Sequence, residues 1–136
     1  MKSLNILLVL TLSIFLINSV SAFNPNGGWN DTVQTSIEIN DGDIIDFWVY
    51  ILTANPPMTI NVKLYDYPSY NLIYTFENDR NVDAYYFTQT YNIDKSIYQT
   101  TGNFEVVISG SDTVESDSYT LSLAVNEFVQ PPENNA

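Results

Sequence analysis

The 136-residue chain contains no cysteine and no histidine. That removes a disulfide framework, thiolate and imidazole zinc sites, haem ligation by either residue, and Ser-His-Asp or Cys-His nucleophile systems. Positive charge is nearly as scarce. Four Lys and Arg stand against sixteen Asp and Glu, a formal net charge of −12. Such a surface repels phosphate backbones and anionic headgroups, which argues against nucleic acid as a partner. No segment carries a convincing helical period, and no internal repeat can be defended. What remains for chemistry is carboxylates, hydroxyls, amides and ten tyrosines.

One long apolar run is present. "MKSLNILLVLTLSIFLINSVSA" opens with a single Lys, has an apolar core from Ile6 to Ile17, and closes in small residues before Ala22. The core is shorter than the ~20 residues that span a bilayer. The pattern is that of a secretory signal peptide over 1–22 rather than an uncleaved anchor. The exported, secreted protein then begins at Phe23 and keeps Lys63, Arg80 and Lys95 against all sixteen acids, a formal charge of −13. Nothing after the signal peptide would hold it to a membrane. "FNPNGGW" (23–29) reads as linker, 30–126 as one domain with one core, and the Pro/Asn-rich 127–136 as a flexible tail.

Within the domain, short apolar or alternating runs are separated by polar turns. Strands are expected near Val33–Ile39, Ile44–Thr53, Met58–Asp66, Asn71–Glu77, Ala84–Ile93, Asn103–Ser109 and Ser118–Val125. Three alternate cleanly: Ile60, Val62 and Leu64; Phe104, Val106 and Ile108; and Tyr119, Leu121, Leu123 and Val125. Period two with β-branched and aromatic residues marks half-buried strands. "TANPP", "DYPSYN", "ENDRN", "TTGN" and "GSDTVESDS" read as the breaks. The fold class expected is all-β: an antiparallel, jelly-roll-like sandwich of seven or eight strands.

In chain order the pieces are "NDT", "DGDIIDFWVYI", "MTINVKLYDYPSYNLIY", "TTGNFEVVISG" and "SYTLSLAV". Together they resemble the bacterial and archaeal pre-peptidase C-terminal domain and the related collagen-binding modules of secreted collagenases. The resemblance covers roughly Asn30 to Val125 and departs from the pattern in places. "NGGW" stands where an acidic residue usually precedes the Asn-Asp pair, and Phe104 stands where Tyr is common. The resemblance implies a jelly-roll-like sandwich, attached to secreted hydrolases or standing alone, with Trp48 and Tyr50 facing inward. It also implies calcium as a cofactor, held by Asn30, Asp31, Asp43 and Asp46.

Those aspartates pose a question of their own. Asp41, Asp43 and Asp46 crowd the start of an apolar strand, and like charges so placed need water, a hydrogen-bonded turn or a cation. "NDG" at Asn40–Gly42 makes a turn there. The bland alternative to calcium is that these are solvated turn residues, with Asp46 bonded to a neighbouring amide. "NDT" at Asn30–Thr32 also matches the N-glycosylation acceptor pattern, though an ordinary turn is the favoured reading.

The second candidate site is aromatic. The "YDYPSY" turn and "AYYFTQTY" strand hold more tyrosines than one inward face can take. Tyr65, Tyr67, Tyr70 and Tyr86 are therefore candidate ligand-binding residues, against the alternative of sheet propensity and edge packing. No catalytic residue is assigned, since no carboxylate pair is flanked by positioning groups. The function expected is a secreted, monomeric, non-catalytic binding or accessory module for an extracellular protein or polysaccharide. A structural subunit of a surface layer or fibre, joined by edge-strand addition, is the alternative.

Overall fold

The computed structural model of the chain describes residues 23–129; the expected signal peptide and residues 130–136 of the expected tail lie outside them. Eight strands form: β1 (Phe23–Trp29), β2 (Ser36–Asn40), β3 (Ile45–Thr53), β4 (Met58–Tyr67), β5 (Leu72–Val82), β6 (Tyr86–Ile93), β7 (Gly102–Ser111) and β8 (Ser116–Asn126). A single-turn helix, α1 (Lys95–Tyr98), lies between β6 and β7. The strands build an all-β sandwich. One sheet has the order β1-β3-β6 and the other the order β2-β8-β7-β4-β5. Every pairing is antiparallel except that of β2 with β8.

Alternation sets the core. Ile60, Val62, Leu64, Phe104, Val106, Ile108, Leu121, Leu123 and Val125 are each at most 4 % exposed. They meet Ile45, Phe47, Val49, Ile51, Phe87 and Ile93 from the smaller sheet. Burying each such side chain contributes about 1.5–3 kcal/mol relative to leaving it exposed. Tyr119 joins this inner face only partly buried.

The segment expected as linker is instead β1. Phe23, Pro25, Gly27 and Trp29 face the core, while Asn24 and Asn26 face water. Glycine and proline hide an alternation that is present. β1 is an edge strand, where a missing N–H is tolerated. A Cβ at Gly27 would lie 2.7 Å from Ile108 Cδ1, so glycine there lets β1 close onto β7.

Three further differences have local causes. On β3, Ile45, Phe47, Val49 and Ile51 take the core face, and Trp48 and Tyr50 point outward with Asp46. This corrects the inward placement that the family resemblance implied. With a period of two, the face that carries a carboxylate is the wet one. "ENDRN" is no turn but the far half of β5, an edge strand with bulged pairing to β4. Asp79 there has φ +49°, and its N–H and carboxylate bond the Asn61 amide at 2.9 and 3.1 Å. The helix α1 is capped by Asp94, whose carboxylate accepts the Ser96 N–H at 3.0 Å. It is one turn long, too short for a helical period to show.

Candidate functional site

The acidic turn between β2 and β3 shows what offsets its charges. The Asn40 N–H donates to Asp43 Oδ2 at 2.9 Å, and the Asp43 N–H returns to the Asn40 carbonyl at 2.9 Å. Lys95 Nζ stands 3.0 Å from Asp41 Oδ2. Below the turn, the hydroxyl of buried Tyr98 accepts the Gly42 N–H at 2.7 Å and donates to the Asp43 carbonyl at 3.1 Å. A hydrogen-bonded turn and a lysine therefore occupy these groups. The chain after β1 does fold back as the calcium reading requires, since the Asn30 N–H donates to the Asp46 carbonyl at 2.7 Å. Among the described residues, however, no group of three or more His, Cys, Asp or Glu is placed to hold a metal ion. A calcium sphere wants six to eight converging oxygens. One oxygen of Asp43 is taken by its own turn and one of Asp41 by Lys95, while Asp41 Oδ1 is buried without a hydrogen-bond partner.

The outer face of the smaller sheet is a different kind of surface. Register aligns Asn24, Leu52 and Tyr86 in one row, Asn26, Tyr50 and Thr88 in the next, and Gly28, Trp48 and Thr90 in a third. Asp46 and Asn92 follow at the end. Tyr50, Leu52 and Tyr86 are exposed by 39 %, 43 % and 58 %. Trp48 sits among them, half-buried. Its indole lies against Gly28, where a Cβ would be 2.7 Å from Nε1. Nε1 donates to the Thr32 carbonyl at 2.7 Å. The Thr32 hydroxyl in turn donates to the Trp29 carbonyl at 2.7 Å, so the loop that holds the indole is itself tied to β1. The face thus carries a fixed aromatic ring, exposed aromatic and aliphatic neighbours, a border of amides and hydroxyls, and one carboxylate.

The four candidate tyrosines are divided between the sheets. Tyr86 belongs to the face just described. Tyr65, Tyr67 and Tyr70 gather at one end of the larger sheet, with the rings of Tyr67 and Tyr70 edge to face at 5.6 Å. Beside them a shallow groove of about 740 Å³ runs over β2, β8 and β7, lined by Ser36, Glu38, Glu105, Ser122, Ala124 and Tyr67 among others. Burial and then the charge of Glu105 push the Tyr70 hydroxyl up from its ordinary value. In the same turn, Asp66 is held below the usual carboxylate range by hydrogen bonds from Ser69 and Asn71, which outweigh its desolvation.

Sequence reasoning missed Trp48 as a surface residue. The run Ile44–Leu52 is apolar on both faces, so either could have been the inner one. The available signal was Asp46, two and four residues from Trp48 and Tyr50.

No protein-family model and no curated protein matches the chain. Among solved structures, a family 123 glycoside hydrolase from Clostridium perfringens is similar, at 13 % sequence identity and a TM-score of 0.47. The likeness covers 82 % of this chain and 28 % of that one, so the chain spans less than a third of the hydrolase's length. Among the described residues, no helix is long and apolar enough to cross a membrane.

Proposed function

We propose that this chain is a secreted, non-catalytic binding module of the pre-peptidase C-terminal type. Its ligand is an extracellular polysaccharide, taken on the outer face of the smaller sheet. The observation that carries this reading is Trp48, fixed against Gly28 and the Thr32 carbonyl in the middle of an aromatic face. A sugar ring presents C–H groups on its faces and hydroxyls at its rim. An indole offers a flat apolar partner for the first, and Asn24, Asn26, Thr88 and Thr90 offer donors and acceptors for the second. Because the indole is already held, binding costs little side-chain entropy. Charge points the same way. On a chain of net −12, this face carries a single carboxylate, Asp46, which suits a neutral polyhydroxylated ligand.

The test is retention of the exported protein on insoluble cellulose, chitin and xylan, with collagen fibres alongside. Retention on one of the polysaccharides, lost at least tenfold in Trp48→Ala, is the expected result. Retention on collagen alone, or a polysaccharide affinity that Trp48→Ala leaves unchanged, would overturn the reading.

A further inference from the structure

We propose that the Ala22–Phe23 bond is a processing site to which the fold is matched: its hydrolysis frees an α-ammonium at Phe23 that pairs with the Glu115 carboxylate and fastens the first strand. This rests on the export reading above. The Phe23 nitrogen donates to Glu115 Oε1 at 2.7 Å, across 92 positions of chain. The Phe23 side chain is fully buried in the core, so the residue cannot move away from this partner without opening the sandwich.

Glu115 is held on a braced turn. Asp112 Oδ1 accepts the Val114 and Glu115 N–H groups at 2.8 and 2.9 Å, and the Asp112 N–H donates to the Glu115 carbonyl at 2.9 Å. The Thr53 hydroxyl donates to Asp112 Oδ2 at 2.6 Å. Thr53 is also the register partner of Phe23. One turn between β7 and β8 therefore grips the start of β1 and the end of β3 together.

Hydrolysis adds one water across the peptide bond. Its oxygen goes to the Ala22 carbonyl carbon, which departs as a carboxylate. The Phe23 nitrogen keeps the electron pair of the broken bond and ends protonated, since an α-amine titrates near roughly 7.7–8.0. The donor facing Glu115 thereby changes from a neutral amide to an ammonium, and a charge-assisted bond is about twice as strong as a neutral one. Position is decisive. A cut one residue earlier moves the charge about 3.3 Å along the strand, and a cut one residue later removes the buried phenyl ring.

The experiment begins with the full chain expressed in a secreting host and the exported product weighed by mass spectrometry. The expected N-terminus is Phe23. Glu115→Gln should then lower the melting temperature of the exported protein by about 4–8 °C. In chains that begin with a retained Met before Phe23, the same substitution should cost less than half as much. The Phe23 amine of the exported wild type should also react with an acylating reagent at neutral pH at least tenfold more slowly than that of Glu115→Gln. An intact Met1 sinks the export reading itself. A Phe23 terminus with equal melting losses in both backgrounds, or equal acylation rates, sinks the ion pair alone.

Discussion

The outward positions of β3 hold Asp46, Trp48, Tyr50 and Leu52, whereas those of β8 hold Ser118, Thr120, Ser122 and Ala124. Both strands lie inside their sheets, and both bury a clean alternate row beneath. They differ only in what faces water. Small hydroxyl side chains keep β8 wet, Glu38 and Glu105 add charge along the groove beside it, and the larger sheet's own exposed rings, Tyr67, Tyr70 and Tyr74, lie toward β4 and β5. The smaller sheet spends large aromatic and aliphatic groups on solvent and fixes one of them. A contiguous exposed apolar patch of that kind marks an interaction surface. The inner faces thus explain why the chain folds, and the outer faces differ in the chemistry they present to water.

Four measurements would break or sharpen that contrast. The largest effect is expected beneath the faces. Ile108→Ala removes a fully buried side chain that β1 packs against at Gly27, and should cost ~2–5 kcal/mol of stability in a denaturant melt. A loss under 1 kcal/mol would mean that the sandwich is not closed there. Next comes the separation of the faces in binding. Trp48→Ala should weaken polysaccharide retention by about 2 kcal/mol, roughly thirtyfold, while Tyr67→Ala with Tyr70→Ala changes it less than twofold. The opposite ranking would move the site to the groove.

A smaller effect belongs to the turn that joins the sheets. Burial opposes the charge of Asp112, but hydrogen bonds from Thr53, Glu115 and Val114 outweigh it and keep its pKa below the ordinary value. A carboxyl depressed in the folded state contributes stability above its unfolded pKa, near 3.9, and loses it as pH falls through the folded value. Thr53→Val removes one of those bonds, so its melting temperature should fall less than that of the wild type between pH 5 and pH 2. Equal falls would take Asp112 out of the acid response. The smallest effect concerns calcium. With Asp43 bonded to Asn40 and Asp41 to Lys95, calcium should raise the melting temperature no more than sodium at matched ionic strength. An excess in calcium would return Asn30, Asp31, Asp43 and Asp46 to the role of ligands.

β4, β7 and β8 were legible because nothing competes with their alternation. Ile60 to Leu64 puts apolar and polar residues on opposite faces, and Leu121 to Val125 puts large apolar residues on one face and the small Ser122 and Ala124 on the other. β1 was not legible, because Pro25 and two glycines read as turn chemistry until the closeness of β7 explains them. β5 was cut short in the reading because Asn78, Asp79 and Arg80 look like a turn. Its pairing with β4, at Ile60–Arg80 and Thr59–Asn81, and the reciprocal bonds with Asn61 keep that segment in the sheet. The site divides in the same manner. The exposure of Tyr86 could be read from the excess of tyrosines in its run. Trp48 depended on which face of β3 is wet, a choice that the three-dimensional pairing with Gly28 makes plain. Local pattern reaches as far as one strand, and what lies across it is invisible to pattern.

The parallel pairing of β2 with β8 has a consequence in time. Ser36 lies beside Ser122, and Asn40 beside Asn126, so the second strand of the chain has no partner until the last has been made. A long loop must close before that ladder can reward it, which slows folding. Completion of the larger sheet therefore waits for the C-terminal strand, and the chain stays unfolded, or partly so, while it is still emerging. Refolding should fall in the millisecond-to-second range of non-local β topologies. A stopped-flow trace finished within microseconds would contradict it. Under the export proposed above, such lateness would keep the chain unfolded until it has crossed the membrane.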